Sequence, residues 1–385
     1  MKTVLVTGSR GFIGKNLVAH LSENKCIHVL TVHWDDSEER WREQVLQADV
    51  IVHLAGVNRP DDIEEFDHGN AVFTKKLCKY AADSTRQPHV IMSSSIQAER
   101  DSPYGVSKRA AEEVLQDFSK FHKTRVTLFR LKNVFGKWCR PNYNSVVATF
   151  CHNIAHELPV QINDPERELE LIHVDDVVGS IVRELNFSGP KDAITFCGNE
   201  IPSTQITLGE LAERIRDFHH SKETLITPNF NDDFSRQLYS TFLSYVDSSC
   251  WEYALEIRED NRGSLAEFMK SESFGQVFVS RTKPGVTRGN HYHHVKTEKF
   301  LVLSGEGLIR FRHINSTKIL EYSVRGEDYR VVDIPPGYTH SITNIGDAEM
   351  VTLFWASEIF NPDQPDTYFQ PVDTSQQESQ IRVAS

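Results

Sequence analysis

Two textures of hydrophobic patterning divide the chain. Up to about residue 245, short runs of continuous apolar residues alternate with stretches of helical periodicity. Val4-Leu5-Val6, Val29-Leu30-Thr31-Val32, Val50-Ile51-Val52-His53-Leu54 and Val90-Ile91-Met92 read as strands, and Phe12 to Leu21 and Thr74 to Asp83 as helices. Runs that are apolar throughout belong to strands covered on both faces. This half therefore predicts an α/β fold, a doubly wound parallel sheet between helical layers. After Trp251 the strands follow one another closely: 275–279, 299–303, 308–311 and 350–355, split by turns such as Ser304-Gly305-Glu306-Gly307. That spacing predicts an all-β antiparallel sandwich or barrel. The joint is expected at Asp247-Ser248-Ser249. The division is then 1–246, 247–370, and a Gln/Ser-rich polar tail over 371–385.

Composition narrows the class. A chain of 385 residues exceeds one ordinary core, which agrees with two domains. A formal net charge of -12 argues against nucleic acid or an anionic membrane as the main partner. No apolar run is long enough to span a bilayer, so membrane insertion is not expected. Met1 to Thr7 resembles the start of a signal peptide, but Gly8, Arg10, Gly11 and Gly14 interrupt it too early. The six cysteines are scattered without a CxxC pair, as in a reducing compartment, and the expected location is cytoplasmic.

The candidate chemistry of the front half begins with Thr7-Gly8-Ser9-Arg10-Gly11-Phe12-Ile13-Gly14, between the first strand and the first helix. Gly8 permits a tight turn, Gly11 lets the backbone approach a pyrophosphate, and Gly14 lets helix and strand pack closely. The helix N-terminus then faces the phosphates, as in a Rossmann-like dinucleotide site. Downstream, Tyr104-Gly105-Val106-Ser107-Lys108 places a phenol and an ammonium four apart, on one helix face. The ammonium, helped by a nicotinamide's positive charge, is expected to lower the phenol's pKa and make Tyr104 a usable acid or base. Ser93-Ser94-Ser95 ends a strand upstream and offers hydroxyls for a substrate carbonyl.

With these motifs the first ~245 residues resemble an extended short-chain dehydrogenase/reductase of the class acting on nucleotide sugars. The resemblance extends to His53-Leu54-Ala55-Gly56, to Arg130-Leu131-Lys132-Asn133-Val134-Phe135-Gly136 and to His173-Val174-Asp175-Asp176-Val177. It implies cofactor contacts at Leu54, Ala55 and Gly56, substrate contact at Asn133, and Ser95 rather than Ser94 as the catalytic serine beside Tyr104 and Lys108. The end of the second strand carries His33 and Trp34, with Asp35 and Asp36 beyond. Because Arg10 can reach a 2'-phosphate, NADPH is the expected cofactor; the two aspartates keep NADH open.

The rear half carries Gly285-(x)5-His291-Tyr292-His293-(x)4-Glu298-(x)6-Gly305, then Pro335-Pro336-Gly337-Tyr338-Thr339-His340-(x)3-Asn344. This resembles the two-part signature of a cupin, a jelly-roll fold. Three imidazoles and a carboxylate (His291, His293, Glu298, His340) suit a divalent transition metal. Zinc is preferred, with nickel, manganese or iron as alternatives. His291 and His293, two apart, are expected on one face of a strand. Tyr329 stands where cupins commonly have a glycine. Asp260-Asn261-Arg262-Gly263, Glu267 and Arg288-Gly289-Asn290-His291 also resemble sugar-nucleotide 3,5-epimerases, which implies substrate contacts at Arg262 and Arg288. There His291 would correspond to the base; the metal reading and the base reading compete for it. Tyr292, His294 and His313 are expected to be solvated or packing residues.

A ketone unites the halves. Hydrogen on a carbon beside a carbonyl is acidic because its anion delocalises as an enolate; once the ketone is reduced, that acidity is gone. Epimerisation must precede reduction, and both fit one chain. The full domain order resembles bifunctional enzymes of capsular polysaccharide synthesis. It implies a UDP-2-acetamido-2,6-dideoxy-4-ketohexose epimerised at C3 by the cupin and reduced at C4 with NADPH to UDP-N-acetyl-6-deoxytalose. A homodimer is expected. The alternatives are a plain 4-keto nucleotide-sugar reductase or epimerase with a dimerising cupin, a non-catalytic sensor of dinucleotide and sugar, and a cupin dioxygenase.

Overall fold

The computed structural model describes residues 1–60, 62–187, 189–190 and 192–373. It separates into two compact units, Met1–His219 with Asp232–Ser248, and His220–Asn231 with the residues from Ser249 onward.

In the first unit, the described residues form nine strands in chain order: β1 (Lys2–Thr7), β2 (Ile27–Val32), β3 (Val50–His53), β4 (His89–Ser95), β5 (Val126–Leu131), β6 (Asn133–Phe135), β7 (Glu168–His173), β8 (Ile194–Cys197) and β9 (Thr204–Thr207). Six of them form one parallel sheet in the order β2-β1-β3-β4-β5-β8. Its apolar runs are explained by two cores. Leu5, Ile51, Val90 and Met92 enter the core shared with helices Glu38–Gln47, Phe73–Ala82 and Pro103–His122. Val4, Val6, Val52 and Ile91 enter the opposite core, with helices Phe12–Ser22 and Val174–Asn186. Alternation sends neighbouring side chains to opposite faces, and both faces are dry. Strand order reverses between β1 and β3, which opens a crevice at their carboxyl ends. A smaller sheet, β6-β7-β9, packs over a third core and holds Asn133 and Glu170.

The second unit contains β10 (Ile257–Asp260), β11 (Gly263–Ser271), β12 (Gly275–Thr282), β13 (Thr287–Tyr292), β14 (Glu298–Ser304), β15 (Glu306–His313), β16 (Ile319–Arg325), β17 (Val331–Ile334), β18 (Tyr338–Asn344), β19 (Met350–Ala356) and β20 (Tyr368–Phe369). They form two antiparallel sheets, β10-β11-β12-β19-β14-β17 and β16-β15-β18-β13-β20. The jelly-roll core between them includes Phe300, Ile309, Phe311, Ile342, Met350 and Phe354. Phe354 stacks on Phe278 at 4.9 Å and meets Phe300 edge-on at 4.5 Å.

Several expectations change here. Residues 220–231, read in the sequence as part of the front domain, cluster with the rear unit because the backbone pairs there: Lys270 N–H donates to Leu225 O (2.7 Å) and Thr227 N–H to Lys270 O (2.8 Å). The polar tail expected from residue 371 lies, beyond Asp373, outside the described residues. Its first residues belong to the fold: Val372 is 1% exposed and Arg312 donates to the carbonyls of Pro371 (2.8 Å) and Val372 (2.9 Å). Tyr329 adopts φ 48°, the left-handed conformation that a glycine would take without strain, so the turn forms without the glycine. All six cysteines are free thiols. Among the described residues, no helix is long and apolar enough to cross a membrane.

Candidate functional site

The glycine loop leaves β1 at the crevice. Gly8 has φ 69°, and a Cβ on it would stand 2.6 Å from Ala55 N; a Cβ on Gly14 would stand 2.2 Å from Gly8 O. No side chain fits at either point. Gly11 N–H donates to Gly8 O (2.9 Å) and caps helix Phe12–Ser22 with no side-chain hydrogen bond, and the first helical turn has no acidic residue. The helix N-terminus therefore keeps its donors for an anionic group, which fits a pyrophosphate. Phe12, Ile13 and Leu54 pack on the adjacent core, while Ser9 and Arg10 stay at the surface of the loop. Arg10 forms an exposed 3.5 Å pair with Asp35. Asp36 is engaged otherwise: its carboxylate accepts from His33 N–H (2.8 Å) and pairs with Arg40 (3.4 Å). The His33 carbonyl accepts from Trp41 Nε1 (2.8 Å), so His33 is fixed by its main chain at the end of β2.

The catalytic candidates converge between β4 and helix Pro103–His122. Ser102 caps that helix by accepting from Gly105 N–H (3.1 Å), and Pro103 occupies its first turn. A Cβ on Gly105 would stand 2.2 Å from Gln97 O. That close approach brings Tyr104 beside the Ser95 hydroxyl. Lys108 is buried and donates to Ser93 O (2.7 Å). A Cβ on Gly56 would stand 3.7 Å from its Nζ, so the strand end after β3 meets the same site.

Electrostatics differ from the expectation at Tyr104. Burial raises its phenol above the ordinary value, and the Ser95 hydroxyl offsets this only in part. The phenol therefore holds its proton at neutral pH, as a proton donor must. Burial lowers Lys108 to about 8, against the opposing pull of Glu112.

Structure separates the two serines. Ser94 Oγ donates to Glu112 Oε1 (2.5 Å), and Arg130 holds the same carboxylate with two bonds, at 3.1 and 2.7 Å. Glu112 is 1% exposed. Ser94 is thus committed to a buried network, whereas Ser95 Oγ accepts from Gln97 N–H (3.1 Å) and bonds the Tyr104 phenol. Arg130, read as part of the substrate-side segment, instead braces Glu112 and Glu99. Asn133 remains exposed, its amide 3.3 Å from Glu170 O. Sequence reading missed Glu112, whose only signal is its i+4 spacing from Lys108. It also missed Asn70, in a π-helical turn (His68–Val72). The Asn70 amide bonds Val57 N–H (3.2 Å), Val57 O (2.9 Å) and Ser107 Oγ (3.0 Å), tying the loop after β3 to the catalytic helix.

In the rear unit, His291, His293, Glu298 and His340 each direct a ligand atom into one cluster, all within 4.8 Å of one another. Two sheets contribute, since β13 and β18 carry His291 and His340 while β14 carries Glu298. β13 ends at Tyr292, so His293 lies just past the strand rather than on it. A bulge at Asn290, φ 63°, re-aims the strand before His291. His293 Nδ1 donates to Asp366 O (2.5 Å) and His340 Nδ1 lies 3.3 Å from Tyr338 O. Those carbonyls fix the tautomer in which Nε2 is a bare lone pair. Both Nε2 atoms are buried without a hydrogen-bond partner and stand 3.3 Å from Glu298 Oε2. Acceptors aimed at acceptors in a buried space fit a divalent cation. Burial holds His291 down to about 3, a neutral ligand.

Arg262 folds back on Asp260, Nε to Oδ2 at 2.9 Å. Arg288 donates to Thr282 Oγ1 (3.0 Å); burial and the neighbouring Arg262 lower its pKa, so the two guanidiniums are close. Tyr292 stacks on Tyr368 at 5.4 Å, His294 meets the same ring at 4.8 Å, and His313 packs on Tyr338 at 5.0 Å.

Residues 4–194 match the NAD dependent epimerase/dehydratase family, and residues 258–368 match the polysaccharide biosynthesis C-terminal domain. A UDP-2-acetamido-2,6-beta-L-arabino-hexul-4-ose reductase from Pseudomonas aeruginosa is 44% identical over 365 residues, 95% of this chain and 97% of that protein. The crystal structure of the capsular polysaccharide assembling protein CapF from Staphylococcus aureus superposes with a TM-score of 0.89 at 45% identity, over 96% of this chain and 100% of that one. A structure of CapF with the inhibitor 3-isopropenyl-tropolone gives 0.84 at 41% identity, over 96% and 100%.

Proposed function

The chain belongs to the family of CapF and the arabino-hexulose reductase, and from that membership we propose a bifunctional nucleotide-sugar enzyme of capsular or surface polysaccharide precursor synthesis. Its substrate is a UDP-2-acetamido-2,6-dideoxy-4-ketohexose. The jelly-roll domain inverts C3, and the front domain reduces C4 with NADPH to give UDP-N-acetyl-6-deoxytalose. The observation that carries this reading is that one chain holds both a Ser95/Tyr104/Lys108 set and a buried cluster of three imidazoles and a carboxylate.

For the reduction, bound nicotinamide supplies the hydride. Ser95 Oγ donates to the C4 carbonyl oxygen, and Tyr104, kept protonated by its burial, gives its proton to that oxygen as charge develops. The Lys108 ammonium stabilises the tyrosinate that remains. Asn133 is exposed and helps place the sugar. Gly8, Gly11 and Gly14 hold the pyrophosphate, and Arg10 takes the 2'-phosphate, leaving its weak exposed pair with Asp35.

For the epimerisation, the C3 hydrogen leaves as a proton, the anion spreads onto the C4 oxygen, and a proton returns on the opposite face. His291, His293, Glu298 and His340 are the residues that would hold zinc, which would supply Lewis acidity to the site or brace the barrel. Support for a metal comes from the orphaned Nε2 atoms. Arg262 and Arg288 fit an anionic portion of the substrate.

The test is incubation with the UDP-4-keto sugar in heavy water, with and without NADPH. Expected are deuterium at C3 without cofactor and one NADPH oxidised per product with it. Reduction without any C3 exchange leaves only a reductase; no turnover of any UDP-4-keto sugar overturns the reading altogether. His291→Ala and His340→Ala should each lower bound zinc in elemental analysis.

A further inference from the structure

The chain between residues 366 and 372 runs past all three histidines of the metal cluster. Beside His291, Phe369 pairs with it across β13 and β20, Gln370 N–H donates to Asn290 O (2.8 Å), and Val372 N–H to Asn290 Oδ1 (3.2 Å). Beside His340, the Thr339 hydroxyl donates to Gln370 O. At His293 the contact is direct: Nδ1 donates to Asp366 O at 2.5 Å. The far end of the segment is anchored by buried Val372 and by Arg312.

Asp366 binds twice. While its carbonyl takes the His293 proton, its carboxylate accepts three consecutive backbone N–H groups, Oδ1 from His294 (2.9 Å) and Oδ2 from Val295 and Lys296 (2.8 Å each). Thr367 Oγ1 then accepts from the buried Lys296 Nζ (2.9 Å). The ends of the loop between His293 and Glu298 are also tied elsewhere, Gly337 N–H donating to His293 O (2.8 Å) and Thr297 N–H to Ser357 Oγ (3.0 Å), but the backbone N–H groups of its exposed middle, His294 and Val295, are held by Asp366. Its ends present two of the four ligands.

We propose that Asp366 is the positioning residue of the metal centre: its carboxylate folds the His294–Lys296 loop, and that clamp holds its own carbonyl against His293 so that Nε2 faces the metal. The proposal rests on the metal reading given above. Groups that orient a ligating imidazole typically change metal affinity by about 10–100-fold when lost. Asp366→Ala removes both acceptor oxygens and all three bonds, and Asp366→Asn keeps one acceptor oxygen, so the order of effect is wild type, Asn, Ala.

The experiment uses the full chain and zinc alone. Zinc affinity is measured by competition with a chromophoric chelator. The His293 tautomer is read in the metal-free protein from long-range 1H–15N histidine spectra, and NADPH binding by the front domain checks folding. Expected are a zinc affinity 10–100-fold weaker in Asp366→Ala, an intermediate value in Asp366→Asn, loss of the single Nδ1–H tautomer at His293, and unchanged NADPH binding. Unchanged zinc affinity and an unchanged tautomer in Asp366→Ala would overturn the proposal. If wild type takes up no zinc, the metal reading fails on its own, and loss or retention of the tautomer in Asp366→Ala still decides for or against the clamp.

Discussion

Replacing Ser94 and Ser95 by alanine, one at a time, separates support from chemistry at adjacent positions. Ser94 Oγ gives its proton to a carboxylate that is 1% exposed, at 2.5 Å. A hydrogen bond to a charged group contributes about 1.5–3 kcal/mol. The two Arg130 bonds to Glu112 survive the change, so the lower part of that range, about 1.5–2 kcal/mol of destabilisation, is expected. The network does not touch the reacting atoms, and kcat for Ser94→Ala should stay within about threefold of wild type. Ser95 has the opposite profile. Its structural bond is a cap on the Ile96–Glu99 turn, accepting from Gln97 N–H at 3.1 Å, and losing such a cap costs about 1 kcal/mol. Its catalytic bond is to an oxygen that gains charge, and removing one such donor lowers kcat about 10²–10³-fold. Stability is read from denaturant unfolding with unchanged slope, and kcat from the initial loss of reduced-nicotinamide absorbance. If Ser94→Ala loses two orders of magnitude in kcat while Ser95→Ala keeps its rate, the assignment of the two hydroxyls is reversed and the reasoning from Glu112 fails.

Other consequences follow from single features. Burial holds Lys108 at about 8 instead of 10.5, so its ammonium is present below that pH and lost above it. Reductase kcat should decline as pH rises through about 8, and Glu112→Gln, which removes the carboxylate that raises Lys108, should move the decline to lower pH; a profile flat to about pH 10 contradicts this. By linkage, the unfolded chain binds more protons at this group between the two values, so its contribution to stability increases across that window as pH rises. Tyr329 is 74% exposed and left-handed at φ 48°. Tyr329→Gly should therefore relieve about 1 kcal/mol of backbone strain and raise the midpoint of jelly-roll unfolding, whereas a lower midpoint would show that the phenol ring matters more than the backbone.

Periodicity made the architecture legible before any coordinates, and the resemblance to the cupin signature pointed to the four clustered residues. Val4-Leu5-Val6 is apolar throughout because β1 faces two cores, and that is a local signal. Tyr104 and Lys108 lie four apart on a helix, and the cupin-like signature converges because β13 pairs with β18, setting His291 beside His340. What stayed hidden depends on contacts distant in sequence. Nothing in Ser93-Ser94-Ser95 tells which hydroxyl is tied to Glu112, because that bond crosses from strand to helix. Arg130 sits in a recognisable segment, yet its partners are Glu99 and Glu112. Asp366 lies in a polar stretch of ordinary composition, and its meaning appears only when the chain returns to His293. The contribution of burial at Tyr104 was hidden too: charge can be weighed from sequence, whereas the desolvation that raises the phenol appears only in the fold.

The central claim is a division of labour in which a C–H bond beside a ketone is opened in one domain and the result is fixed by hydride in the other. Tyr104→Phe in the full chain, given the UDP-4-keto sugar in heavy water with NADPH present, tests it most directly. The account predicts that NADPH oxidation stops while deuterium still enters C3. Loss of both activities in a variant whose jelly roll remains folded would contradict it.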